Sequence, residues 1–379
     1  MALITYLTRI QFDFGALKLL DSELQTLGMR RPMIVTDKGV AAAGIWDKVK
    51  AALPGNLPLT YYDGTPENPT ESAMRDALKL YRAGDCDGII AIGGGSSMDL
   101  AKAVGLMATH PGESLLPYAM VEGGMAKITA AMAPLVAIPT TAGTGSEVSR
   151  GGVVIMDDGR KLAIGSPHLI PRLALCDPEL TLGLPPHLTA GTGMDAIAHC
   201  METYMAPSVN PPAEAIALDG LDRAWRHLER AVRDGNDRDA RWNMMMASME
   251  GAMCFQKGLG AVHALSHPSG GLKGLRLHHG TLNAVYLPPV LRFNGPALGV
   301  EKIARMAAIL GCAPTAAALA EAIAAMNARI GIPSGLGAMG VGADRHEAIA
   351  DGALGDHCHL TTPRQPTRDE YLGLIAEAA

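Results

Sequence analysis

"DGIIAIGGGSSMDLAKA", residues 87 to 103, sets the fold. An apolar run that can be buried on both faces passes through three glycines and two serines into a helical pattern. A strand of that kind belongs inside a parallel sheet covered by helices on both sides. The same texture recurs nearby in "PMIVTD" (32–37), "LPLTYYD" (57–63) and "APLVAIPTT" (133–141). Helix-like stretches lie between them, such as "ESAMRDALKLYRAG" (71–84) and "MDLAKAVGLMAT" (98–109). Alternation of strand and helix predicts an α/β domain with a mainly parallel sheet. A more polar ribbon, 147–164, reads as a hairpin turning at Asp158-Gly159.

Past Pro185-Pro186 the strand signals fade. Segments 212–235, 239–258 and 300–311 carry helical spacing and helix-forming composition. The chain therefore divides near residue 185, into an N-terminal α/β domain (1–185) and an all-α C-terminal domain (186–379), which the residues discussed below mark as dinucleotide-binding and metal-binding in turn. A length of 379 residues agrees with two domains.

Composition narrows the function. Net charge is -6 with no basic run, which argues against a nucleic-acid partner. The six cysteines form no CxxC pair, as in a reducing compartment. No signal peptide or transmembrane-length apolar run is visible, so a cytoplasmic protein without a membrane partner is expected.

The glycine loop suits a diphosphate. A helix N-terminus offers unpaired N–H groups and partial positive charge, and glycine lets the phosphates approach. Gly94, Gly95 and Ser96 would donate from the backbone, and Ser97 would give its hydroxyl to phosphate or cap the helix. Asp37, ending an earlier strand, would accept the ribose hydroxyls and repel a 2′-phosphate, favouring NAD over NADP. It reads equally as the cap of a helix beginning at Lys38. The loop "IPTTAGTGSEVS" (138–149) suits contact with a nicotinamide. There is no GxGxxG, and the acidic strand precedes the glycine loop. The domain is thus a non-standard Rossmann-like one.

The second domain carries Asp195 and His199 four apart, and His263 and His267 four apart. At that spacing each pair shares a helix face. Pro268 disfavours helical geometry at His267 and would end the helix there. His278 and His279 follow after a glycine-rich loop. One carboxylate and several imidazoles suit Fe²⁺ or Zn²⁺. A catalytic metal takes three or four protein ligands, so at least one histidine is left to carry protons; spacing does not say which.

Five motifs together resemble the iron-containing (group III) alcohol dehydrogenase family: "GGGSSMDLAK", "IPTTAGTGSEVS", "CDPELT", "GMDAIAHCMETY" and "GAVHALSHPSG" with its following "HHG". The resemblance implies Asp195, His199, His263 and His279 as metal ligands, with His267 as the proton-relay residue and His278 non-ligating. It implies that Gly94, Gly95, Ser96 and Asp99 lie along NAD, that Thr140, Thr141, Thr144 and Ser146 line its nicotinamide end, and that Lys161 contacts the cofactor. It implies a homodimer or higher homo-oligomer that moves hydride between a small alcohol and nicotinamide in the cleft between its domains. Related possibilities are a metal- and NAD-dependent sugar-phosphate cyclase and a dehydrogenase specific for hydroxy acids or semialdehydes. In the latter, Lys273 and Arg276 of the histidine loop would face a substrate carboxylate. A non-catalytic metal and nucleotide binder is the remaining reading.

Overall fold

The computed structural model describes residues 8–379. Its α/β part contains strands β1 (Arg9–Phe12), β2 (Pro32–Val35), β3 (Thr60–Tyr62), β4 (Gly88–Gly93), β5 (Leu135–Pro139), β6 (Gly151–Ile155), β7 (Lys161–Gly165) and β8 (Leu173–Cys176). The helices there are α1 (Leu20–Leu27), α2 (Lys38–Ala42), α3 (Ile45–Ala51), α4 (Glu71–Ala83) and α5 (Gly95–Thr109). The rest is helical: α6 (Pro186–Met205), α7 (Pro211–Arg233), α8 (Arg238–Cys254), α9 (Ala261–Gly270), α10 (His279–Asn294), α11 (Val300–Leu310), α12 (Ala316–Arg329), α13 (His346–Gly355) and α14 (Arg368–Ala378). Two compact units result. One holds residues 8–141 and Gly145–Gly183; the other holds Ala142–Thr144 and Leu184–Ala379.

Among the described residues the main sheet has six parallel strands in the order β1-β8-β5-β4-β2-β3. Its inner strands are buried throughout, and their side chains alternate between two cores. Met33, Val35, Ile89, Ala91, Leu135 and Ala137 enter one core. Ile34, Ile90, Ile92, Val136 and Ile138 enter the other. That period of two explains the unbroken apolar runs: a strand covered on both faces has no polar side. Strands β1 and β8 are absent from the sequence reading, although they are no shorter than β2 and β3. Helix α5 begins at Gly95, three residues before the expected 98, because the glycine and serine positions that look like loop already form its first turn.

From β2 the chain steps outward to β3, then returns to the other side as β4 and β5. The change of direction lies between β2 and β4, and in such sheets ligands bind beyond the carboxyl ends of the strands at that point. The ends of β2, β4 and β5 deliver Asp37, Gly93–Ser97 and Thr140–Thr141 to this edge.

The expected hairpin is present as β6–β7, antiparallel, with Gly159 in its turn at φ 88°. It is fastened by a buried carboxylate, Glu71 at the start of α4. Glu71 accepts the Asp157 amide at 2.7 Å, the Leu115 amide at 2.6 Å and the Ser114 hydroxyl at 2.9 Å. In the helical unit α6 is central, buried continuously from Thr189 to Met205. The three segments read as helices, 212–235, 239–258 and 300–311, correspond to α7, α8 and α11. No helix among the described residues is long and apolar enough to cross a membrane.

Pro268 does not end its helix. Helix α9 continues through it to Gly270. The proline sits only two residues from the end and forfeits a single backbone hydrogen bond. The Ser269 hydroxyl returns to the Leu265 carbonyl at 2.7 Å beside it. Truncation at the hairpin anchor tests the fold directly. Replacing Glu71 by Ala strands two backbone amides, each costing about 1–3 kcal/mol when buried and unpaired. Urea unfolding should show a stability loss of roughly that size or more, whereas an ornamental contact would leave the midpoint unchanged.

Candidate metal centre and nucleotide cradle

The cradle forms around Gly93, whose φ of 147° is accessible to glycine and little else. A Cβ there would stand 2.6 Å from the Ser97 hydroxyl and 3.3 Å from Asp37 Oδ2. Gly94 then caps α5 with no side-chain bond, leaving the first-turn N–H groups to face outward. Ser97 lies within the first turn of α5 rather than capping it, and its hydroxyl donates to Asp37 Oδ2 at 3.2 Å. Asp37 in turn caps α2, accepting the Val40 amide on Oδ1 at 2.9 Å. The capping reading of Asp37 is therefore real. A carboxylate with one partner per oxygen still has lone pairs for a ribose, and Asp37 is only half-buried. Ser96 donates its hydroxyl to the Glu67 carbonyl.

Asp99 and Ser146 are bound to each other and to the hairpin. Asp99 accepts the Ser146 hydroxyl at 2.7 Å and the Val153 amide at 2.8 Å. Lys102, fully buried, donates to the Ser146 carbonyl and hydroxyl, both at 2.8 Å, and to the Gly151 carbonyl at 2.6 Å. Burial pulls the Lys102 ammonium down to about 8, against the opposing charges of Asp99 and Glu147. This network ties the hairpin to α5 through the buried Ser146 hydroxyl. Thr140 is buried, with its amide on the Gly93 carbonyl at 3.0 Å, while Thr141 is half-buried. Thr144 is half-buried and groups with the helical unit. Lys161 donates to Asn68 Oδ1 at 2.9 Å.

In the helical unit, Asp195 is the hub. Its Oδ1 lies 3.7 Å from His199 Nε2, 3.8 Å from His263 Nε2 and 3.7 Å from His279 Nε2. Ligand atoms of Asp195, His263 and His279 all lie within 4.8 Å of one another. His199 stacks on His263, with ring centroids 4.7 Å apart. Two facing glycines make this convergence possible. A Cβ on Gly280 would sit 2.2 Å from the Gly191 carbonyl oxygen, and one on Gly191 would meet His278 Nδ1 at 2.6 Å. The "HHG" and "TAG" triplets thus let α10 press against α6. His278 caps α10, accepting the Thr281 amide on Nδ1 at 3.3 Å, and stands outside the donor group.

The donor set fits a divalent cation. One carboxylate oxygen and two imidazole nitrogens converge, His199 Nε2 stands 3.7 Å from the same oxygen, and a donor, the Asn283 amide nitrogen, lies among the first three. It lies 2.7 Å from Asp195 Oδ1, 3.1 Å from His263 Nε2 and 3.2 Å from His279 Nε2. Asn283 Oδ1 is buried without a hydrogen-bond partner. Burial drives His199 down to about 4 even against the Asp195 charge, so its ring is neutral and keeps a lone pair. At His263, burial is outweighed by Glu202, whose Oε2 lies 2.5 Å from Nδ1 and whose charge raises the ring's proton affinity. With Nδ1–H held by that carboxylate, Nε2 faces the hub as an electron-pair donor, the usual carboxylate–histidine–metal arrangement.

Glu202 and Asp356 were not singled out in the sequence. Glu202 follows His199 by three, so the i,i+3 rule places it on the same face of α6 and would have found it. Asp356 Oδ2 meets His267 Nδ1 at 2.8 Å across 89 residues, a contact that no local spacing encodes.

Comparison with known proteins points one way. Residues 8–178 match the family model "Iron-containing alcohol dehydrogenase", and 189–379 match "Fe-containing alcohol dehydrogenase family, C-terminal". The chain is 56% identical, over the full length of both, to a 4-hydroxybutyrate dehydrogenase of Cupriavidus necator. It is 37% identical to a 1,3-propanediol dehydrogenase of Citrobacter freundii, covering 97% of this chain and 96% of the relative. A solved 1,3-propanediol oxidoreductase superposes with a TM-score of 0.90 at 34% identity, covering both chains completely.

The isosteric change Glu202→Gln keeps Oε1, which accepts the Val262 amide at 2.8 Å, and removes the anion at His263. Metal affinity, measured by equilibrium dialysis, should fall about 10–100-fold with little change in melting temperature. Unchanged affinity would reduce Glu202 to a packing role.

Proposed function

The chain belongs to the iron-containing alcohol dehydrogenase family, and on that premise we propose that it oxidises a short hydroxy acid at a terminal alcohol, or reduces the matching semialdehyde, with NAD. Metal-dependent alcohol oxidoreduction linked to a nicotinamide is the coarser statement and holds for the family. The observation carrying the finer one is end-to-end identity of 56% with a 4-hydroxybutyrate dehydrogenase. The sugar-phosphate cyclase reading has no such support, since the relatives named above are all dehydrogenases or oxidoreductases.

We assign Asp195, His199, His263 and His279 as the ligands of one divalent cation, with Fe²⁺ preferred and Zn²⁺ acceptable to the same donors. When bound, the cation supplies Lewis acidity towards an alcohol oxygen, and NAD accepts the hydride. The protein's own part is positioning and proton handling. Glu202 orients His263, the Asn283 amide holds Asp195, and Asp356 accepts a hydrogen bond from His267 Nδ1–H. With Nδ1–H donating to that carboxylate, His267 Nε2 is the ring atom able to receive a proton leaving the alcohol. Asp37 supports NAD over NADP, because a half-buried carboxylate repels a 2′-phosphate.

Two variants separate the roles. His263→Ala should lose both metal and activity. His267→Ala should retain metal while kcat falls by about 10²–10⁴, the range for a general acid–base; loss of its metal instead would make His267 a ligand.

The substrate assignment is checked by comparing kcat/KM for 4-hydroxybutyrate with that for 1-butanol and 1,3-propanediol. The hydroxy acid should be favoured at least about tenfold, and preference for a neutral alcohol would overturn the assignment. Lys273 and Arg276 are exposed, so each is worth at most about 1 kcal/mol to a carboxylate. Replacing either by Ala should raise KM for the hydroxy acid by no more than about fivefold, with kcat preserved.

A further inference from the structure

Beside the Asp195 centre lies a second group of donors that the reaction does not use in full. Ligand atoms of His267, Asp356, His357 and Cys358 all fall within 4.8 Å of one another. Asp356 Oδ2 is 2.8 Å from His267 Nδ1, and Asp356 Oδ1 is 3.5 Å from His357 Nδ1. His357 Nε2 is 3.4 Å from Cys358 Sγ. The rings of His267 and His357 are stacked with centroids 5.7 Å apart. Cys358 is 1% exposed, His267 is 7% exposed, and the half-buried His357 gives the group a route to solvent.

We propose that His267, Asp356, His357 and Cys358 form a second cation site, selective for a borderline thiophilic ion such as Zn²⁺ or Co²⁺. Two imidazoles, a carboxylate and a thiol make a four-donor set of the kind those ions take, and the thiol distinguishes it from the all-N,O centre at Asp195. Three of the donors are consecutive, Asp356-His357-Cys358, in the short helical turn after α13. The Cys358 amide donates to Asp356 Oδ1 at 2.8 Å, which fixes that turn. The ion displaces the thiol proton on binding, and the thiolate becomes the ligand.

Occupancy would also engage His267 Nδ1 and Asp356 at once. Excess cation should therefore slow turnover, a consequence that rests on the role proposed for His267. The site itself does not rest on it.

The test is titration of the metal-replete enzyme with Co²⁺, followed by near-ultraviolet absorption. A thiolate-to-Co²⁺ charge-transfer band should appear and saturate at about one equivalent beyond the resident metal. Its wavelength region reports sulfur ligation, which the Asp195 centre cannot supply. Cys358→Ser should abolish the band, and His357→Ala should weaken binding at least tenfold, both retaining the resident metal. Absence of the band at excess Co²⁺, or its survival in Cys358→Ser, would overturn the proposal. In parallel, excess Co²⁺ should slow turnover of the wild type and spare Cys358→Ser. A band without inhibition would keep the site and overturn instead the role given to His267.

Discussion

Helix α6 places Asp195, His199 and Glu202 on a helix that is buried on every side. Ionisable groups taken out of water cost several kcal/mol each unless they are paired or bind a cation. The helical unit is arranged around this constraint. Helix α9 brings His263 to Glu202, and α10 brings Asn283 and His279 to Asp195. The close approach of α10 needs glycine on both sides, at 191 and 280. The proposed cation site and a set of buried charges that need compensation are here one feature.

The α/β unit meets a related constraint differently. Its cradle is half-buried at Gly94, Gly95 and Ser96, and the glycine turn can leave N–H groups for a ligand. Beneath it, Lys102 is fully buried and surrounded by oxygen atoms of Ser146 and Gly151. Asp99 and Glu71 fasten the hairpin and its neighbours through backbone amides. Buried charges in this unit hold loops in place; in the helical unit they gather at one point.

Legibility followed locality. The inner strands were readable because burial on both faces demands continuous apolar runs, and the hairpin because Asp158-Gly159 sits between two of its strands. The four-apart pairs were readable because one helical turn joins them. Strand β1, Arg9–Phe12, mixes polar and apolar residues and shows no apolar run. The termination expected at Pro268 failed because propensity counts one lost hydrogen bond, whereas packing of α9 decides whether the helix survives it. The bonds from Ser97 to Asp37 and from Ser146 to Asp99 join residues 60 and 47 apart, which no local spacing encodes.

By itself the sequence determined the α/β and helical halves, the glycine turn, and the list of donors from which a metal centre could be drawn. Those properties are periodic or local, and a periodic pattern survives in one dimension. Only the tertiary structure decided that His278 caps a helix while its neighbour His279 turns inward, and that Asp356 pairs with His267 across the chain. It also brought His357 and Cys358 to that same pair. Such choices depend on distances between helices that are far apart in sequence, fixed by how closely their backbones can approach and by which buried charge must find a partner.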